Sequence, residues 1–197
     1  MNFKIKTLFF LFTCSLLLAQ SKTNLEMIYG LVDSSVIHIA NNCSNSNSVF
    51  SLSIKSPKEY SELNHRIKAS LVKHGIELNV DSTVSDKINY SISQTIVQYS
   101  DLFRDGLFGD YLLERSFILS GEYLIQNSST ISNADIFYYT VKDTIPYSNY
   151  TFIENNSLPF TKSKVPEAPF IPSLFEPVIA ITAVVITVVL FFSVRSR

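Results

Sequence analysis

Charged residues crowd into one short segment of this 197-residue chain. Two carboxylates that converge in a cleft can act as general acid and general base. Between residues 101 and 115 lie six charged side chains: Asp101, Arg104, Asp105, Asp110, Glu114 and Arg115. Gly106 and Gly109 indicate a turn in the same place. We favour the simpler interpretation, a solvated hairpin end with surface ion pairs, and predict no catalytic residues.

Aromatic residues stand among these charges. Binding sites for proteins are enriched in aromatic and arginine side chains. We therefore predict a partner contact formed by Phe103, Arg104, Phe108 and Tyr111. The alternative, that the rings only cover the end of a sheet, is equally compatible with the sequence.

The sequence contains no motif for binding a metal, a nucleotide cofactor or nucleic acid. His38, His65 and His74 have no cysteine or carboxylate at the spacing of a zinc site. The chain has no phosphate-binding loop or dinucleotide fingerprint, and its net charge of −1 argues against nucleic acid as a partner. We predict no metal, no cofactor and no nucleic acid.

Hydrophobic periodicity predicts the elements that position these residues. Apolar residues recur at helical spacing from Leu25 to Ile39 and from Tyr60 to Leu71. Alternating residues predict short strands near 49–54 and 76–80 and three long strands, near 88–96, 113–125 and 135–141. The predicted fold class is α+β, with two helices packed on a mostly antiparallel sheet that contains a long-stranded meander, plus one C-terminal transmembrane helix.

The two ends of the chain predict its topology. Lys4 and Lys6 precede an apolar stretch that ends at Ala19, as in a secretory signal peptide. Residues 178–194 form an apolar run followed by Arg195. We predict a signal peptide at 1–19, an extracytoplasmic domain at 20–153, a proline-rich stalk at 154–173, a transmembrane helix at 174–194 and a cytoplasmic tail at 195–197.

The segment from Tyr60 to Val141 resembles envelope α/β modules. Its helix ending in LVKHGIEL leads into DKINYSISQ and then into GDYLLERSFILSGEYLI. This arrangement is similar to that of the lipopolysaccharide-assembly lipoprotein and of auxiliary lipoproteins of lipid-exporting transporters, and the C-terminus resembles that of single-pass envelope proteins. Those lipoproteins are anchored by an acylated N-terminal cysteine, which this chain lacks, so their outer-membrane placement and lipid cargo do not transfer.

These observations favour a non-enzymatic envelope protein. The prediction is a single-pass protein of the inner membrane, with a periplasmic domain that binds another envelope protein or assists assembly or transport, and a cytoplasmic C-terminus. A glycosylated type I surface protein of a eukaryote or virus is a first alternative, because Asn42, Asn89, Asn127, Asn149 and Asn155 begin glycosylation sequons. A membrane-tethered hydrolase that uses the acidic residues of 101–115 is a second.

Overall fold

The computed structural model describes residues 21–43, 48–79, 84–106, 109–128, 130–167 and 172–195. The predicted signal peptide therefore lies outside the described residues. The chain forms two compact units, Met1–Val165 and Pro166–Arg197.

The first unit begins with two helices whose ends have recognisable signals. Helix α1 spans Asn24–Cys43 and helix α2 spans Ser61–Lys73. Thr23 and Glu26 form a capping box, in which the Thr23 Oγ1 accepts from the Glu26 N–H at 3.2 Å and the Glu26 carboxylate accepts from the Thr23 N–H at 2.7 Å. Gly75 ends α2 with a positive φ of 85°, the conformation that glycine adopts most easily.

Five strands form one mixed sheet. They are β1 (Phe50–Lys55), β2 (Leu78–Asn79), β3 (Lys87–Arg104), β4 (Tyr111–Asn127) and β5 (Thr130–Pro146), in the order β2-β1-β3-β4-β5. Strand β1 pairs in parallel with both β2 and β3, whereas β3, β4 and β5 pair antiparallel. The predicted sheet was mostly antiparallel, and the parallel pairing of β1 corrects it to a mixed sheet.

Helices α1 and α2 pack on one face of the sheet and on each other. The core between them contains large apolar residues from every layer, among them Ile28, Leu63, Ile88 and Phe117. Asp33 and Arg66 form an ion pair that joins the two helices. Phe117 and Tyr123 are buried and Glu122 is exposed, as strand alternation predicts.

A β-bulge between Ile92 and Gln94 changes which residues of β3 face the helices. Ile88, Tyr90 and Ile92 are buried before it, and Thr95, Val97 and Tyr99 are buried after it. The sequence pattern places Ile96 with the first group. In the structure Ile96 pairs with Ile118 on the opposite face of the sheet, which we call the open face because no described element of this unit covers it.

The chain continues along the domain after β5. A short helix, α3, spans Tyr150–Ile153, and a 3₁₀ turn spans Pro159–Thr161. Phe160 is buried and its ring meets that of Tyr60 edge to face at 5.5 Å. Leu158 and Val165, which belong to the predicted stalk, thus pack against the core of the first unit.

The second unit contains helix α4, Pro172–Arg195. Within the described part of the chain, no helix has the length and apolarity of a membrane span. The predicted transmembrane helix at 174–194 is wrong by that criterion. The single-pass inner-membrane topology, which depends on this helix, is not supported either.

Gly121 gives the first testable prediction. A Cβ at this position in β4 would lie 2.6 Å from Cζ of Phe137 and would collide with the Ser91 carbonyl oxygen. We expect Gly121→Ala to lower the free energy of unfolding by about 1–3 kcal/mol, the usual cost of overpacking. Chemical denaturation followed by far-UV circular dichroism measures it.

Gly30→Ala is the matched control, because nothing lies within 4 Å of its added Cβ on α1. It should raise stability by up to about 1 kcal/mol through helix propensity. Equal effects of the two substitutions would contradict the close contact at Gly121.

Candidate functional site

A fully buried arginine lies where α1 meets β4 and β5. The side chain of Arg115 has no exposed surface, and its guanidinium forms a paired contact with the Asp143 carboxylate, Nε to Oδ1 at 2.6 Å and Nη2 to Oδ2 at 2.8 Å. Nη1 donates to Asn24 Oδ1 and Nη2 donates to the Lys22 carbonyl, both at 2.7 Å. The guanidinium is therefore paired and hydrogen-bonded, as a buried charge must be.

Asn24 extends this network to the end of the domain. Its amide nitrogen donates to the Tyr99 hydroxyl and to the Thr161 carbonyl, each at 2.8 Å. The Tyr99 hydroxyl in turn donates to Glu154 Oε1 at 3.0 Å. Burial raises the pKa of Tyr99 well above its usual value, so the phenol keeps its proton and remains a donor. The network holds the beginning of α1 against the segment that follows β5, and its chemistry is structural.

Two of the residues predicted to contact a partner, Arg104 and Tyr111, make contacts within the turn between β3 and β4. Arg104 Nε donates to the Gly109 carbonyl at 2.9 Å, and its guanidinium lies 5.7 Å from the centroid of the Tyr111 ring. Phe103 is 45% exposed. Phe108 lies outside the described residues. Arg104 and Tyr111 thus stabilise the turn, whereas Phe103 is accessible, and the partner contact at this turn stays a prediction.

Glu114, one acid of the cluster that the second alternative uses, lies on the face of β4 opposite to the adjacent Arg115. Glu114 lies on the open face, where it accepts from Ser100 Oγ and from Lys142 Nζ at 2.9 Å each. Hydrogen bonds from Lys142 and Ser100 lower the pKa of Glu114, which suits a carboxylate in an ion pair rather than a general acid. Arg115 points to the opposite, buried face. The two neighbours therefore share no cleft.

The residues with metal-binding or nucleophilic side chains lie apart. Among the described residues, no group of histidine, cysteine and carboxylate side chains has the arrangement of a metal site. His38 contacts the Tyr123 hydroxyl through Nδ1 at 3.2 Å. Cys43 is buried at the end of α1, and burial raises the pKa of its thiol to about 11. A thiol in that state is a poor nucleophile.

Strand β5 is an edge of the sheet that the structure describes, and the open face adjoins it. In the described sheet, β5 pairs with β4 on one side and with no strand on the other. The Ile136 N–H bonds to its neighbour's carboxylate, Asp135 Oδ1, at 2.8 Å, so this N–H points away from β4. Alternate backbone groups of an edge strand point outward in the same way. Two apolar side chains stand beside them, Ile136 at 78% and Tyr138 at 65% exposure.

Comparisons with known proteins give limited guidance. No protein-family model matches the chain, and no curated protein matches it. Among solved structures it is similar to a minor lipoprotein from Acinetobacter baumannii, at 18% identity and a TM-score of 0.33 over 51% of this chain and 69% of that one. It is also similar to rare lipoprotein B from Shewanella oneidensis, at 18% identity and a TM-score of 0.32 over 49% and 68%. Both are named as lipoproteins, the class that the sequence resembles, but likeness at this level establishes neither a family nor a function.

Sequence reasoning missed the Arg115 network, although a signal was present. Arg115 lies between Leu113 and Phe117, in phase with the buried residues of β4. Because Arg115 is charged, sequence reasoning placed it on the surface together with its neighbour Glu114. A charged residue in phase with a buried strand face, on a chain that offers a carboxylate on the next strand, is the pattern that identifies such a site.

The network predicts that removing Asp143 lowers stability more than removing Arg115. Asp143→Asn removes the counter-charge of a cation that has no access to water, and breaking a buried pair in this way costs about 3–5 kcal/mol. Arg115→Met leaves Asp143, whose side chain is 33% exposed and can be hydrated, so the loss should be smaller. Denaturation of the two variants measures the difference. A larger loss in Arg115→Met would contradict the proposed balance of charges.

The turn yields a second prediction. Arg104→Ala removes the bond to Gly109 and the contact with Tyr111, so it should lower the melting temperature. Phe103→Ala removes a half-exposed ring and should change stability by less than about 0.5 kcal/mol. Thermal unfolding of both variants separates a structural residue from an accessible one. The opposite ranking would show that Phe103 covers the sheet.

Proposed function

We propose that the first unit is a non-enzymatic docking module of the cell envelope, which binds a protein partner along β5 and the adjoining open face. One observation carries the proposal. Strand β5 is 17 residues long, is an unpaired edge of the sheet that the structure describes, and presents exposed apolar side chains. Exposed edges template pairing with another chain, and proteins usually protect them with charge or proline.

That protection is uneven along β5. The C-terminal part contains Lys142, Asp143 and Pro146, which are the residue types that protect edges. Residues 134–141 contain Asp135 as their single charge and include Ile136 and Tyr138. An extended partner segment that adds a strand here would gain backbone hydrogen bonds and bury both side chains. The docking segment is therefore 134–141.

The envelope assignment rests on the N-terminal sequence, which has the features of a secretory signal peptide. The accessory role, in assembly or transport, follows the resemblance to envelope modules and is part of the same proposal. The proposal includes a second contact with the partner at the turn 103–111, through the accessible side chain of Phe103.

The glycosylated alternative is less favoured by the positions of its sequons. Asn89 lies in β3, in the interior of the sheet order, and Asn127 has a buried Oδ1 without a hydrogen-bond partner among the described residues. Asn42 donates to the Tyr123 hydroxyl at 2.8 Å. Asn155 is in an exposed turn, where it accepts from the Ser157 N–H. A glycan acceptor should be in an accessible loop, and Asn155 fits that requirement best.

The test is site-specific photocrosslinking in cells. A photoreactive phenylalanine at position 138 should crosslink to one discrete protein, because the docked strand lies beside Tyr138. The same group at Val72, an apolar residue of α2 with 59% exposure, is the control and should give no discrete product.

A double variant completes the test. Ile136→Lys with Tyr138→Lys should abolish recovery of the crosslinked protein through a second reactive group at position 140. Because both side chains are largely exposed, their replacement should change the free energy of unfolding by less than about 1 kcal/mol. Unchanged crosslinking in the double variant, or equal products from positions 138 and 72, would refute docking at this edge.

A further inference from the structure

A groove of about 560 Å³ crosses the open face of the sheet, away from the Arg115 network. Its volume lies in the range of sites that bind small molecules. Four strands form its floor in two adjacent rows. The register aligns Lys55, Ser91, Glu122 and Ile136 in one row, and Ser53, Asn89, Leu124 and Ala134 in the other.

Four polar side chains of the groove have no partner in the part of the domain that the structure describes. Lys55, Asn89, Ser91 and Glu122 make no side-chain hydrogen bond or ion pair with any residue the structure describes. Elsewhere on the same face, Glu114 is paired with Lys142. A few convergent polar groups beside an apolar wall are the usual composition of a ligand site.

The order of these groups across the strands specifies a ligand. A cation, Lys55, comes first, an amide and a hydroxyl follow on β3, and an anion, Glu122, is next. An apolar wall formed by Leu124, Ala134 and Ile136 lies beside Glu122 across the two rows. Lys55 and Glu122 lie two strand spacings apart, about 10 Å between backbones. An extended tripeptide, at about 3.3–3.6 Å per residue, matches that length.

We infer that the groove binds short peptides with free termini. The peptide carboxylate pairs with Lys55 and the terminal ammonium pairs with Glu122. Asn89 and Ser91 have donors and acceptors that match a peptide group between them. The side chain of the first residue packs on Leu124, Ala134 and Ile136, so an apolar first residue is preferred. This site does not depend on partner docking along β5, although Ala134 and Ile136 belong to both surfaces.

Isothermal titration of the full-length protein with Leu-Gly-Gly tests the inference. We expect saturable binding, and we expect Glu122→Gln to weaken it about tenfold or more, as for a lost bond to a charged group. N-acetylation of the peptide should cause a similar loss on the wild-type protein and no further loss on Glu122→Gln. Lys55→Gln should likewise weaken binding. C-terminal amidation of the peptide should cause a similar loss on the wild-type protein and no further loss on Lys55→Gln.

Glu114→Gln is the matched control, because Glu114 is an acid of the same strand and face but is already paired. It should bind Leu-Gly-Gly with unchanged affinity, and Gly-Gly-Gly should bind more weakly than Leu-Gly-Gly to the wild-type protein. Absence of binding up to about 10 mM peptide overturns the inference. Equal binding of the doubly blocked peptide, or an equal loss in Glu114→Gln, overturns it as well. None of these outcomes bears on crosslinking at position 138.

Discussion

The pairing of Arg115 with Asp143 is the constraint on which the rest of the domain depends. A cation with no access to water is tolerable only when its donors are all directed at acceptors. Here those acceptors come from β5, from the first residue of α1 and from the chain just before it. This guanidinium therefore ties the beginning of α1 to β5, and Asn24 ties it in turn to the segment after β5.

This internal rigidity leaves the other side of the sheet available. The helices and the polar network occupy one face, and the bulge in β3 directs Ile96 to the other, where it meets Ile118. The open face thus combines apolar patches with several polar side chains, among them Lys55 and Glu122, that have no partner among the described residues. Rigid elements that carry accessible groups are the usual supports of binding sites. Both the edge of β5 and the groove depend on a sheet that is supported on its opposite face by the helices and the polar network.

Local pattern predicts much of this domain and misses its long-range features. Alternation in β4 predicts the burial of Phe117 and Tyr123, because a strand with one buried face repeats every two residues. It cannot predict that β1 joins β3 in parallel, since that pairing is decided by packing over a long sequence separation. Alternation also fails to predict the face on which Ile96 lies, because the bulge after Ile92 shifts the register of β3. The groove was equally invisible, because Lys55, Asn89 and Glu122 become neighbours only through the register of three strands.

The link between Asn24 and the Thr161 carbonyl has a consequence for the order in which the chain acquires its structure. The meander from β3 to β5 consists of neighbouring strands and can form early, because contacts close in sequence cost little loop-closure entropy. The guanidinium of Arg115 also needs Lys22 and Asn24, and Asn24 is complete only when residue 161 has arrived. During synthesis the domain therefore cannot complete this network until almost all of the first unit has been made. A chain that stops before this point leaves the side-chain amide of Asn24 without one of its two acceptors.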